Sequence, residues 1–174
     1  LLLHGPKPDK SDMSARLKEF HERMAPNSVA IIVSHPERTR SHDTEFAYRQ
    51  NSDMLFFNAF PEPHSALVLC KLKGKRKRSV LMFVQPKDRA REIWTGIRIG
   101  PEGAKEEFLA DDAFTNDQFE AHLKELVQQA QTVYYRFGIN QEFDEQFRRV
   151  WMPFQKPLQN PGDIVHEMRL FKSA

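Results

Sequence analysis

Cysteine is nearly absent from this 174-residue chain: Cys70 stands alone, inside the apolar run ALVLC. With no second thiol there is no disulfide framework within these residues, which fits a reducing compartment. Cys70 itself reads as a small hydrophobe buried in a strand rather than as a nucleophile. Long hydrophobic runs are missing as well. None approaches the roughly 18–20 residues that a bilayer-crossing helix needs, so no membrane partner is expected and the default location is cytoplasmic. Charge of one sign is not in excess either: 26 Lys+Arg against 24 Asp+Glu leave a net charge of +2, with both signs interleaved. A nucleic-acid binder concentrates its basic residues on one stripe, so no nucleic-acid partner is expected. The opening LLLHGPKPDKSD has neither the n-region nor the h-region of a signal peptide. Residues 1–13 are therefore read as a disordered end or a cloning remnant.

Catalytic signatures are lacking too. The 7 histidines are scattered, with no HExxH, no CxxC and no His pair at i, i+4 spacing. The tightest set is His35, His42, Asp43 and Glu45 in one loop, and a loop mixing His with acids is more simply a solvated one. His21-Glu22 and His166-Glu167 have no further ligand at a usable spacing. No GxSxG elbow occurs, and Gly96 and Gly100 fit neither a P-loop nor a dinucleotide fingerprint. The expectation is no catalytic residue, no cofactor site and no metal site in this chain.

What is present is a core. At 40% hydrophobic and 29% charged the chain reads as one ordinary folded domain, long enough to bury roughly 70% of its unfolded surface. Residues 14–24 place Leu17, Phe20 and Met24 at helical spacing, Met13 extends that stripe, and Ser11 or Asp12 is available as cap. SVAIIVS (28–34) reads as a strand buried on both faces. ALVLCKL (66–72) and VLMFVQ (80–85) read as an antiparallel hairpin. The basic run KGKRKR (73–78) between them is a solvated tip that discourages edge pairing, rather than a nucleic-acid patch. Pro101 suits the first position of a helix over 101–110. Thr115 or Asn116 opens a helix with Phe119, Leu123, Leu126 and Val127 as its core stripe. TVYYRF (132–137) is a strand ended by Gly138, and Asn140 caps a helix carrying Phe143, Phe147 and Val150. The Pro-rich stretch 153–163 reads as an extended linker. Strands alternate with helices, so the class is α/β, a mixed β-sheet with helices on both faces.

Two stretches stand out. Arg38–Phe60 runs from a charged rim, RTRSHDTEFAYRQ, into an apolar block, NSDMLFFNAF, read as a short helix capped by Asn51 or Ser52. PKDRAREIWTGIRIG (86–100) sets Trp94 in a charged loop with a tight turn at Gly96. Trp94 there is either a rim anchor for a ligand or a partner subunit, or a cover over the edge of the core with its indole N–H in water.

The blocks RTRSHDTEFAYRQNSDMLFF, PEPHSALVL, REIWTGIRIGPEGA and VHEMRLFKS, in that order, resemble the N-terminal domain of aminopeptidase P, X-Pro aminopeptidases related to prolidase and creatinase. The resemblance implies a ribonuclease H-like, creatinase N-terminal type of fold over 14–152. Residues 153–174 become a linker and the start of a helix leading into a separate "pita-bread" catalytic domain. That domain holds two metal ions, commonly manganese, and cleaves the bond before a proline in second position of a peptide. By the same resemblance the N-terminal domain helps build a homo-oligomer, dimer or tetramer, and closes over the substrate cleft. Asp43 in RSHD and Trp94 in EIWTG match residues that approach that cleft; Tyr48, Arg49 and Arg98 belong to matching motifs without assigned contacts. Two departures accompany the match: Asn58-Ala59-Phe60 stands where the family more often has Thr-Gly-Phe, and Met54-Leu55 replaces a more aromatic pair. The alternative reading is a stand-alone binding or dimerisation module that has lost its peptidase domain.

Overall fold

The computed structural model describes residues 9–40, 44–45, 47–74 and 79–171. Helix α1 is Lys10–Arg23, capped by Asp9 rather than by Ser11 or Asp12. Asp9 Oδ1 accepts the Ser11 N–H at 2.9 Å, and Oδ2 accepts the Ser11 hydroxyl at 2.8 Å. Met13, Leu17, Phe20 and Met24 are buried along one stripe. The first residues of the helix thus correct the expectation for 1–13: residues 10–13 belong to the packed fold.

Strand β1, Ser28–Val33, is buried at every position. It pairs antiparallel with β4, Ala66–Lys71, and parallel with β7, Thr132–Tyr134. Strand β5, Ser79–Val84, returns antiparallel to β4. Strand β6, Asp112–Thr115, joins β5 in parallel, and β8, Leu158–Gln159, joins β7 in parallel. The resulting six-stranded mixed sheet has the order β6-β5-β4-β1-β7-β8, and a separate two-stranded ribbon is made by β2, Thr39–Arg40, and β3, Thr44–Glu45. Residues 75–78 of the basic run lie outside the described residues.

The two outer strands are not visible in the hydrophobic pattern. DAFT in β6 shows no buried alternation; it is anchored by Asp111, whose N–H donates to the Val80 carbonyl and whose Oδ2 accepts the Val80 N–H, both at 2.8 Å. Strand β8 corrects the reading of 153–163 as an extended linker. The Val133 N–H donates to the Pro157 carbonyl and the Tyr135 N–H to the Gln159 carbonyl, each at 2.9 Å. A proline is tolerated there because an edge strand needs no outward donor.

Alternation along the strands divides the core in two. Ala30, Ile32, Leu67, Leu69, Val80, Met82 and Val84 face α1, α2 (Ser52–Phe57), α4 (Gly100–Glu107) and α7 (Pro161–Phe171). Val29, Ile31, Val33, Val68, Cys70 and Phe83 face α5 (Phe119–Gln129) and α6 (Gln141–Trp151). Each fully buried large apolar side chain contributes roughly 1.5–3 kcal/mol. Edge-to-face ring pairs lead on both sides, Phe20 with Phe57 at 5.0 Å and Phe83 with Phe119 at 5.3 Å. Helix α7 carries the VHEM block, and its Ile164, Val165 and Met168 are buried against this same core.

Helix α3, Arg89–Thr95, corrects the loop expected around Trp94. Asp88 Oδ1 caps it, accepting the Ala90 N–H at 3.0 Å, and Gly96 ends it at φ +88°, a conformation open to glycine. No residue from Arg89 to Arg98 whose side chain is described is buried, so no apolar stripe announces this helix.

Candidate functional site

The arrangement of interest is built at the end of β1. A cluster of buried polar residues, Ser34, Gln50, Asn51, Ser65 and Asn140, gathers there. The Ser34 N–H donates to the Ser65 carbonyl at 2.9 Å, and the Ser65 N–H to Ser34 Oγ at 3.1 Å. Asn51 Nδ2 donates to the Val33 carbonyl at 2.9 Å while its Oδ1 caps α2 through the Asp53 N–H, also at 2.9 Å. Gln50 Nε2 donates to the carbonyls of Phe60 and Glu62, each at 2.9 Å. Buried polar groups satisfied on every side lock a loop into one conformation. The rim is thus fixed by side-chain amides, although it has little regular structure.

Two open clefts flank the segment His35–Arg38. One, of about 510 Å³, is lined by His35, Pro36, Arg38, Tyr48 and Arg49 among others. The Tyr48 hydroxyl lies 2.8 Å from Gln50 Oε1 and 3.1 Å from the His35 carbonyl, so both acceptors belong to the protein itself. Burial pushes the Tyr48 phenol well above its usual range, and it serves here as a neutral donor. His35 is held below its ordinary imidazole value, first by burial and then by the charges of Arg38, Arg136 and Arg49.

The second cleft, of about 760 Å³, is lined by Glu37, Glu62, His64, Arg91, Trp94 and Arg98 among others. His64 Nε2 and Glu37 Oε2 stand 3.2 Å apart at its edge. Glu62 Oε1 accepts the Ile99 N–H at 2.7 Å, whereas its buried Oε2 has no hydrogen-bonding partner among the described residues. Burial raises the Glu62 carboxyl above its ordinary value, opposed by the Ile99 N–H and the Arg98 charge and assisted by Glu92. Trp94 rises from the rim with 88% of its surface exposed, beside Ile93 at 81% and Ile97 at 86%. That exposure sets aside one of the two readings of Trp94: it does not cover the core.

The residues singled out from the sequence therefore divide. Tyr48 and Arg49 line the first cleft, Trp94 and Arg98 the second, and Asp43 lies outside the described residues, as does His42. Among the described residues no group of three or more His, Cys, Asp or Glu is placed to hold a metal ion. Glu62, Gln50 and Ser65 carried no assigned role in the sequence; Gln50 lies in the block ending AYRQ before Asn51, and Glu62 and Ser65 lie in the breaker PEPHS.

Comparison with known proteins bears on the family and the fold. The family model described as "Aminopeptidase P, N-terminal domain" matches residues 13–135. The chain is similar to the Xaa-Pro aminopeptidase of Escherichia coli, 34% identical over 94% of this chain and 39% of that protein. It is also similar to the Xaa-Pro aminopeptidase of Haemophilus influenzae, 28% identical over 99% of this chain and 39% of that protein. Among solved structures it superposes on aminopeptidase P from Escherichia coli, low pH form, with a TM-score of 0.86 and 31% identity, covering 93% of this chain and 39% of that one. The chain thus spans about two fifths of the length of each of these relatives.

Proposed function

The chain belongs to the aminopeptidase P N-terminal domain family, and on that premise we propose that it is the non-catalytic part of a longer X-Pro aminopeptidase. The parent protein releases the residue that precedes a proline in second position. Two manganese ions, or similar divalent ions, in the following pita-bread domain supply the activated water and polarise the scissile carbonyl. The lone, buried thiol of Cys70 suits a cytoplasmic setting.

In this reading the domain serves access and assembly. The observation that carries it is the arm around Trp94: a large indole with 88% exposure, flanked by two exposed isoleucines, at the mouth of a cleft. An apolar cluster this exposed is out of place on a free surface and suits contact with a peptide or a partner. The arm faces the substrate cleft of the catalytic domain, in its own or a neighbouring subunit of a dimer or tetramer, and by the family resemblance Asp43 approaches the same cleft.

The test uses the full-length protein. Trp94→Ala and Asp43→Asn are expected to raise KM for an X-Pro peptide while leaving metal content unchanged. The 174-residue chain alone, given manganese, is expected to hydrolyse no such peptide. Metal-dependent cleavage by the chain alone overturns the assignment, and unchanged KM in both variants overturns the role in access.

A further inference from the structure

From the geometry we infer that Glu62 is a positioning residue for Trp94, latching the arm 88–99 to the body of the domain. This rests on the reading above only for its consequence in catalysis; the latch itself is a statement about this chain.

The arm leaves and rejoins the fold at one place. A Cβ built on Gly100, at φ +69°, would stand 3.2 Å from the Lys87 side chain, so the two ends of the excursion touch. Between those ends no described side chain from Arg89 to Arg98 is buried, while Ile99, at the arm's end, packs its half-buried side chain against the core. Its internal bonds, from the Gly96 N–H to the Glu92 carbonyl at 3.0 Å and from the Arg98 N–H to Glu92 Oε1 at 3.4 Å, shape the arm without docking it. A polar contact docks the same residue: Glu62 Oε1 takes the Ile99 N–H at 2.7 Å across 37 residues of sequence.

Glu62 is well placed for that task because its own backbone is held. Its carbonyl accepts from Gln50 Nε2 at 2.9 Å and from the Ser65 hydroxyl at 2.8 Å, both residues being part of the buried polar cluster. A continuous path therefore runs from the buried end of β1 through Gln50 to Glu62, then to Ile99 and the arm that bears Trp94. A charge-assisted bond from a half-buried carboxylate to an amide is stronger and shorter than a neutral one. The Arg98 side chain, lining the same cleft, keeps the carboxylate supplied with a countercharge.

Amide exchange in the 174-residue chain tests the latch directly, by NMR at Ile99 and by mass spectrometry across 88–99. Glu62→Ala and Glu62→Asp, the second too short to reach, are expected to accelerate exchange at Ile99 by about tenfold, with the core strands unaffected. Glu62→Gln keeps an acceptor at Oε1 and is expected to restore protection. Unchanged exchange in the folded Ala or Asp variant overturns the proposal, and so does failure of Gln to rescue. If the Ala variant does not fold, the Asp and Gln pair decides. In the full-length protein the same variants are expected to follow the KM of Trp94→Ala. A Trp94→Ala variant with unchanged KM sinks the substrate-facing reading but leaves the exchange result to judge the latch.

Discussion

Asn140 Nδ2 donates to the carbonyl of Ser34, 106 residues earlier in the chain, at 3.0 Å. The same side chain caps α6, its Oδ1 accepting the N–H groups of Glu142 at 3.1 Å and Phe143 at 3.4 Å. One buried amide thus ends β1, starts α6 and pins the base of the rim. Replacing it with alanine removes a helix cap and leaves a buried carbonyl without a donor. Asn140→Ala is expected to cost about 2–4 kcal/mol, read as a lower midpoint in urea unfolding. A loss under about 0.5 kcal/mol would show that the bond is not maintained in solution.

Ala59 adopts φ +58°, in the left-handed region that favours glycine. Alanine holds here a backbone that glycine would adopt without strain. A Cβ in that conformation costs roughly 1–2 kcal/mol, partly offset by the greater freedom glycine has when unfolded. Ala59→Gly is therefore expected to stabilise the chain by about 0.5–1 kcal/mol, measured as a rise in Tm. A drop in Tm would mean that the Ala59 methyl makes packing contacts worth more than the strain.

His35 carries a pH dependence with a defined sign. Its folded value lies below the ordinary 6.5, so between the folded value and 6.5 the unfolded chain binds more protons. Its contribution to stability is fully present above 6.5 and is lost as pH falls through that window. His35→Gln is expected to flatten this part of the profile when unfolding is compared at about pH 7.5 and about pH 5. Identical profiles for parent and variant would place the imidazole in ordinary solvent.

Glu62 has the opposite slope. Its folded carboxyl value is raised above the ordinary 4.5, so the folded chain holds the proton longer than the unfolded one. Stability from this group is greatest below 4.5 and declines as pH rises through the folded value. Parent and Glu62→Gln are expected to diverge as pH rises from about 4 to about 7, the variant gaining relative to the parent. A constant difference between them across that range would contradict the raised value.

The sequence by itself determined the elements that bury a stripe. The apolar strands β1, β4 and β5, the Phe119–Val127 face of α5 and the Phe143–Val150 face of α6 all lie where spacing placed them. Asn140, and Asn51 as one of two candidates with Ser52, were legible as caps because a short polar side chain before an apolar period suits that position. The resemblance likewise rested on motifs that are contiguous in the chain, and the family was readable from them.

Tertiary structure alone decided the rest. Strands β6 and β8 exist because a neighbouring edge offers its hydrogen bonds, not because their own residues alternate. No described side chain of α3 is buried, so no hydrophobic period marks it, and beyond its Asp88 cap the arm is held at Ile99 by packing on the core and by the Glu62 carboxylate. The division of the candidate residues between two clefts, Tyr48 with Arg49 and Trp94 with Arg98, is set by polar contacts spanning tens of residues. Hydrophobic periodicity is a local signal and survives in the sequence. Which buried amide meets which distant carbonyl depends on how the sheet brings strand ends together, and only the folded chain contains that information.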